Sequence, residues 1–216
     1  MRERRWWDGV AAALLIIALL MATGRLIATE WVEHLNVVYT LVILGTAAGL
    51  ALGQSTYHPV MVLLVGATYG VFTVPWQLGR TIAYLSDDAL WGDRMVVLAA
   101  RLIHTLVRFV QQEPVHDPAL FLFAMAALGW TLSVHAGYAL TRRASPWRVI
   151  LPPGLAVLLI QTSDPYRPRG IWYLAGYFLF ALLLLARVTF TRLRRDWEAD
   201  NARIPPLVGL DLSYAM

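Results

Sequence analysis

The chain has 216 residues, of which 58% are hydrophobic and only 15% charged, and its formal net charge at pH 7 is +4. A soluble domain carries roughly 25% charged residues, so this composition indicates an integral membrane protein with no room for a separate soluble domain. The absence of cysteine excludes disulfides and a thiol nucleophile within these residues, and the basic charge is expected to meet phospholipid headgroups and not nucleic acid.

Six apolar stretches predict transmembrane helices. A hydrocarbon core of roughly 30 Å requires about 20 helical residues, and most of the stretches supply that length. They are Gly9–Ala28, Leu35–Gly53, Pro59–Leu78, Pro118–Leu140, Val149–Gln161 and Ile171–Phe190. The predicted fold class is therefore an all-α integral membrane protein, a six-helix transmembrane bundle over residues 1–190, followed by a basic cytoplasmic tail over residues 191–216.

Two of these stretches carry glycines at a spacing that lets helix backbones approach closely. Gly45, Gly49 and Gly53 form two overlapping GxxxG steps in the second stretch, and Gly66 and Gly70 repeat the spacing in the third. In a membrane such small-residue faces are typical of helix–helix contacts. We expect them to pack the second and third helices against each other, and a dimer contact is the alternative.

The long connection between the third and fourth stretches contains an amphipathic pattern over Asp93–Gln112. One face carries Arg94, Arg101, His104 and Arg108, and the opposite face is apolar. This pattern predicts an interfacial helix on the extracytoplasmic side, capped by Asp93. Its polar stripe would contact lipid headgroups or a partner, and Leu102, Leu106 and Phe109 would face inward. The alternative, a seventh span, would place three arginines in the membrane at high cost.

His135 is the one histidine inside a predicted span. A buried imidazole could bind haem or bacteriochlorophyll through a ring nitrogen, or it could be hydrogen-bonded to a neighbouring helix. A b-type haem usually has two axial histidines at similar depth, and no other span contains one. We therefore predict no cofactor, and His135 is the candidate residue if a haem or bacteriochlorophyll is present.

A metal site is not predicted either. The outer connection carries His104, His116, Asp93, Glu113 and Asp117, but their spacings match no zinc pattern such as a helix-borne HExxH.

The fifth stretch is the weakest, because Pro152 and Pro153 interrupt it and its apolar part is short. A full crossing is favoured over a re-entrant segment, which would place the basic tail outside. Arg25 and Arg187 lie near span ends, where long side chains reach the interface, so neither is expected to need a carboxylate partner within the membrane. No carboxylate lies at the centre of a span, which argues against a coupled transporter, although Gln161, Thr46 and Ser133 could line a polar path.

Arginines mark alternate ends of the predicted spans. The positive-inside rule places the arginine-rich side in the cytoplasm, with both termini there. All 18 basic side chains are arginine, which is typical of a GC-rich bacterial genome, so we expect the membrane to be a bacterial cytoplasmic (inner) membrane. The residues that define this side are Arg2, Arg4, Arg5, Arg142, Arg143, Arg148, Arg192, Arg194, Arg195 and Arg203.

The final stretch carries a resemblance to a known family. It reads DPYRPRG, then IWYLAGYFLFALLLLARVTF, then RLRRDWEADNARIPPLVGLDLSYAM. Together with the preceding spans, it resembles the N-terminal membrane region of bacterial membrane-anchored transglutaminase-like (TgpA-type) proteins. In that family an extracytoplasmic papain-like domain with a Cys-His-Asp triad follows. No cysteine is present here, so no catalytic residue can be carried over, and a further span from about Leu210 would deliver such a domain to the outside.

The functional prediction is a non-catalytic membrane-anchoring or scaffolding domain. Its expected partners are membrane lipids and either other membrane proteins or a following extracytoplasmic domain. The first alternative is an accessory subunit of a respiratory or photosynthetic membrane complex, and the second is a small transporter. No residue pattern predicts hydrolysis or acyl transfer, because no serine lies beside a histidine at a motif spacing and no acid–base pair lies in the membrane.

Overall fold

A computed structural model of the protein describes residues 7–81, 90–113, 117–164 and 170–199, with side chains described as far as Arg194. These residues form seven α-helices and no strand, which confirms the all-α prediction for the described part of the chain. The helices are α1 Gly9–Ile27, α2 Val37–Gln54, α3 Pro59–Gly79, α4 Trp91–Val110, α5 Ala119–Arg143, α6 Pro146–Ser163 and α7 Ile171–Ala199.

Five helices are long and apolar enough to span a membrane: α1, α2, α3, α5 and the segment Ile171–Arg194 of α7. These five helices are consistent with a multi-pass membrane protein. The basic segment predicted as a tail begins as a continuation of α7, which runs nine residues past Phe190, and residues 200–216 lie outside the described part.

Local chemistry accounts for the helix ends. The Asp8 carboxylate caps α1 by accepting hydrogen bonds from the N–H groups of Val10 and Ala11. Pro59 and Pro146 occupy the first turns of α3 and α6, where a missing N–H costs nothing. The predicted cap at Asp93 is wrong, because α4 begins two residues earlier at Trp91 and Asp93 lies inside its first turn.

The prolines inside α6 are accommodated without ending the helix. Pro152 and Pro153 lie in its first half, and each lacks the N–H that would bond to a carbonyl four residues earlier. The Tyr177 hydroxyl of α7 donates a hydrogen bond to the Ile150 carbonyl at 2.5 Å, and Gly154 lies against the Tyr177 ring. This contact ties the interrupted part of α6 to α7.

The most extensive packing joins α2 to α5, and α3 covers the edge of that pair. α1 packs along α7, and α6 lies between α1, α5 and α7. A continuous hydrophobic core runs through these helices, with Leu15, Leu41, Ala126, Leu140 and Leu184 among its least exposed members. α4 lies across one end of α3 and α5.

The glycine face of α2 packs on α5, so the expectation that it packs on α3 is wrong. A Cβ atom added to Gly49 would lie 2.9 Å from the Val134 Cα atom, and one added to Gly137 would lie 2.7 Å from the Thr46 carbonyl oxygen. Cβ atoms added to Gly45 and Gly53 would overlap with the hydroxyl oxygens of Ser133 and Thr141, respectively. The two backbones are therefore almost in contact, because small residues from both helices interleave.

The glycines of α3 also face α5. A Cβ added to Gly66 would lie 3.3 Å from the Val134 Cγ1 atom, and one added to Gly70 would lie 2.7 Å from the Trp130 indole nitrogen. That nitrogen donates a hydrogen bond to the Gly66 carbonyl at 3.1 Å. α5 is thus the shared partner of both glycine-bearing helices.

The bundle has two ends with distinct polar contacts. At the first, which we call the Arg187 end, Arg187 bonds to Asp8 at 2.8 Å and Arg142 donates to the Ser55 carbonyl at 2.7 Å. At the opposite end, which we call the Arg25 end, Arg25 pairs with Asp164, and the Trp31 and Phe121 rings meet edge to face at 5.9 Å. α6 runs from the first end to the second.

Candidate functional site

A buried arginine forms the centre of a polar cluster at the Arg25 end. Arg25 lies in the last turn of α1 and its side chain is 0% exposed. Its Nε donates to the Gln161 Oε1 atom at 2.7 Å. Its Nη1 and Nη2 atoms donate to the Asp164 carboxylate at 3.2 and 3.3 Å, and Nη2 also reaches the Asp164 carbonyl at 3.1 Å. The guanidinium therefore joins α1 to the end of α6.

Gly170, just before α7, completes this cluster. An added Cβ there would lie 2.6 Å from Arg25 Nε and 2.7 Å from Cζ, so only a glycine lets the chain pass the guanidinium this closely. Arg25 was not expected to need a carboxylate partner within the membrane; the structure pairs it with Asp164, which directly follows α6. The cluster thus brings together the end of α1, the end of α6 and the residue before α7.

Arg187 also has a carboxylate partner, Asp8, which lies just before α1. Its Nε donates to the Asp8 Oδ2 atom at 2.8 Å, while the Asp8 Oδ1 atom caps the start of α1. The Asp8 carboxylate is mostly buried and Arg187 is partly exposed. This pair fastens the start of α1 to α7 at the end opposite Arg25.

Arg101 fastens α4 to the start of α5. Its Nε and Nη2 atoms donate to the two Asp117 carboxylate oxygens at 2.5 and 2.7 Å, and Asp117 also accepts from the Ala119 N–H at 2.9 Å. These bonds, above all the one from Arg101, hold the pKa of Asp117 below its ordinary value of 3.8, although partial burial opposes them. The Asp117 carboxylate therefore bonds both to the first residue of α5 and to Arg101 of α4.

α4 has three faces and not the two expected. Leu98 and Thr105 are buried against the bundle. Leu106 and Phe109, predicted to face inward, are exposed, as are Ile103 and Val110, and only Leu102 of the predicted trio is partly buried. The face that packs on the bundle lies at the boundary between the polar and apolar stripes. Each stripe therefore keeps exposed residues.

The predicted polar stripe of α4 is divided. His104 and Arg108 are exposed, and Arg108 pairs with Glu113 at 3.0 Å, whereas Arg101 turns toward Asp117 and Arg94 is half-buried. His116 lies outside the described residues. Within the described ranges, no three histidine, aspartate or glutamate side chains come close enough to hold a metal ion.

His135 lines a groove between α3 and α5, which we call the His135 groove. The groove has a volume of about 360 Å³. Its lining is apolar apart from Thr131, His135 and the aromatic residues Trp130 and Tyr138, and the other members are Pro59, Val62, Leu63, Gly66, Ala67 and Val134. His135 is exposed in the groove and has no hydrogen-bond partner in the part of the chain that the structure describes.

Sequence reasoning placed His135 inside a span but missed its surroundings. It named Gln161 only as part of a polar path and did not connect Asp164 or Gly170 with Arg25. One signal in the sequence could have indicated the pair. Arg25 lies near the end of the first predicted span and Asp164 follows the fifth, and both of these span ends are predicted to lie on the same side of the membrane. Comparisons of the chain with protein-family models, with curated proteins and with solved structures give no match.

Proposed function

We propose that this chain is a non-catalytic membrane domain that anchors and orients a partner, either another membrane protein or a following extracytoplasmic domain. Its resemblance to the membrane region of transglutaminase-like proteins suggests the second arrangement. The observation that carries the proposal is that the two ion pairs described above connect helices to each other. Arg25 with Asp164 and Arg187 with Asp8 join helices at opposite ends, which suits a rigid support.

The hydroxyl groups inside the spans support a structural role as well. Thr46 donates to the Val42 carbonyl at 2.7 Å, and Ser133 donates to the Trp130 carbonyl at 2.9 Å. Gln161, the third residue that could have lined a polar path, accepts from Arg25. Each of these groups is already bonded within the protein, which weakens the small-transporter alternative and the case for a hydroxyl nucleophile.

We further propose that the chain crosses a bacterial inner membrane six times, with both termini in the cytoplasm. α6 is the crossing in question, and its two ends lie at opposite ends of the bundle: Arg192 donates to the Ala144 carbonyl just before α6, and Arg25 holds Asp164 just after it. Arg142 also bonds to the Ser55 carbonyl, which brings together two connections that the positive-inside rule assigns to the cytoplasm.

In this arrangement α4 is the interfacial helix on the outer side. An interfacial helix needs one face for protein, one for lipid and one for water. The protein-facing side carries the buried Leu98 and Thr105. The lipid-facing side carries the exposed Ile103 and Leu106, and the water-facing side carries the exposed His104.

Cysteine labelling tests the topology, and because the chain has no cysteine, each single-cysteine variant has one reactive position. Thr56→Cys in the α2–α3 loop should resist a membrane-impermeant maleimide in intact cells, whereas Ser163→Cys at the end of α6 should react. Both positions are exposed, so accessibility to the reagent should report only on the side of the membrane. Labelling of Thr56→Cys from outside would overturn the orientation.

A turnover assay tests the functional proposal. The purified chain in nanodiscs, given ester, amide and acyl-donor substrates, should show no turnover above empty nanodiscs. Turnover that a single substitution abolishes would refute the proposal.

One observation favours the second candidate, an accessory subunit of a respiratory or photosynthetic complex. The imidazole of His135, which has no hydrogen-bond partner among the described residues, lies in a groove that opens between two candidate spans. An absorbance band from the purified protein in the visible range, lost in His135→Ala, would support that candidate over the anchoring role.

A further inference from the structure

The depth of His135 limits what can bind beside it. His135 precedes Arg143, the last residue of α5, by eight residues, which is about 12 Å along a helix. Arg142 and Arg143 mark the membrane boundary, and half of a hydrocarbon core is about 15 Å. In the proposed topology the imidazole therefore lies well inside the hydrocarbon, below the level of the phospholipid ester groups.

An imidazole at that depth requires a hydrogen-bond partner. Polar groups left unpaired in hydrocarbon are costly, and water is scarce there. The neighbouring helix supplies no partner in the described part of the chain, and the ester oxygens of a phospholipid stay at the boundary. The partner must be a polar atom that is itself carried into the hydrocarbon on an apolar molecule.

The walls of the groove indicate the shape of that molecule. Trp130 and Tyr138 contribute aromatic side chains, and Trp130 is held in place by its bond to the Gly66 carbonyl. Ala67, a small and exposed residue, leaves room on the α3 side. Aromatic walls with a nearby hydrogen-bond donor suit a flat ring that carries oxygen atoms.

We propose that the His135 groove binds a membrane-soluble quinone, a ring with two carbonyl oxygens on an apolar tail. A His135 ring N–H donates to one quinone carbonyl, the ring lies along Trp130, and the tail leaves the groove between Leu63 and the lipid. The Tyr138 hydroxyl has no partner in the described residues, but it is shielded from solvent. A ligand reaches it only if the phenol ring shifts, so His135 is the residue that we assign to recognition.

A decyl-substituted benzoquinone is the probe, titrated calorimetrically into the protein in phosphatidylcholine nanodiscs. We expect saturable binding of one molecule per chain, and His135→Leu should weaken it about tenfold, the loss of one hydrogen bond in apolar surroundings. His135→Gln, which keeps a donor, should restore most of the affinity. His104→Leu, on the exposed face of α4, is the matched histidine control and should change nothing.

A steric variant separates this groove from the rest of the protein surface. Ala67→Phe should fill the groove and abolish binding, because Ala67 lines it and is exposed there. Leu64→Phe, an exposed α3 position outside the lining, should bind as the parent does.

Three results would overturn the proposal. The first is the absence of saturable binding by the folded parent protein, and the second is binding that Ala67→Phe leaves intact. The third is equal competition by decylbenzene, which has the tail and the ring but no oxygens, because that result would make the groove a site for lipid chains. A visible absorbance band that disappears in His135→Leu would assign the groove to a haem or chlorin instead.

Discussion

The α2–α5 interface and the α1–α6–α7 group hold helices together by different means. In the first, glycines from both helices bring two backbones almost into contact, as at Gly49 and Gly137. In the second, the Arg25 guanidinium of α1 is surrounded by groups from two other segments: Gln161 and Asp164 at the end of α6, and Gly170 before α7.

The contrast shows how a bundle can be joined where the hydrophobic effect is weak. Lipid tails are as apolar as leucine, so helices in a membrane associate through close packing and hydrogen bonds. The glycine interface spreads its contacts over several turns and depends on the size of each residue. The arginine cluster concentrates its contacts at one point and depends on charge balance, so single substitutions should affect the two regions differently.

Removing one member of the buried ion pair should have the largest effect. Asp164→Ala leaves the fully buried Arg25 charge without its partner, and such losses cost about 3–5 kcal/mol. The free energy of unfolding in a denaturing-detergent titration measures this. The double variant Arg25→Met, Asp164→Leu should recover most of the loss, because it removes both charges. Equal destabilisation in the single and double variants would show that charge balance is not what the cluster supplies.

Enlarging the closest glycine should come next. In Gly49→Leu the side chain meets the Val134 backbone, which cannot move aside as a flexible side chain can, and overpacking costs about 1–3 kcal/mol. The same titration measures the loss. Ala47→Leu, an exposed position on the same helix, should be close to neutral. If Gly49→Leu were equally neutral, the α2–α5 interface would be looser than described.

Arg187→Gln should have a smaller effect than any change at Arg25, although both arginines bond to an aspartate. Arg187 is 38% exposed, and ion pairs that reach solvent contribute about 1 kcal/mol or less. Glutamine keeps a donor for Asp8, which reduces the loss further. Comparing Arg187→Gln with Arg25→Gln in one titration shows whether burial sets the size of the effect, and a larger loss at Arg187 would contradict this.

The Arg101–Asp117 contact should respond to acid, with a local effect only. The pKa of Asp117 is lowered in the folded protein, so the contribution of its carboxylate is complete above the ordinary value of 3.8 and is lost as the pH falls through the lower, folded-state pKa. Hydrogen exchange of the α4 amides, corrected for intrinsic rates, measures the docking of α4. The protein should be better protected than Asp117→Asn at pH 6, and the difference should disappear under strong acid.

Local patterns in the sequence predicted most of the helix bounds. The first and third spans were expected to start at Gly9 and Pro59, and they do, because a loss of polarity and an initial proline are local signals. α6 was expected to begin at Val149 but begins at Pro146, because the polar Trp147–Arg148 pair reduces the hydropathy without disturbing the helix.

Partners were harder to predict than positions. The GxxxG spacing marks Gly49 as a contact residue but does not say which helix it meets, and α5 is the partner because its own Gly137 matches that surface. Likewise, His135 could be placed inside a span, whereas its groove depends on how α3 lies beside α5. The Arg25–Asp164 pair joins residues far apart in sequence, and the local hydrophobic pattern of the sequence does not indicate which distant residues will pair.

The distance between Arg25 and Asp164 along the chain also has a consequence for biogenesis. The two residues are 139 positions apart. A ribosome adds about 5–20 residues per second, so roughly 7 to 28 seconds pass before the counter-charge of the first span has been made. During that interval Arg25 has only water or headgroups to bond to, so the first span has to sit with this end at the membrane surface. Its final seating among its neighbours must then be a late step, taken after the translocon has released the sixth helix.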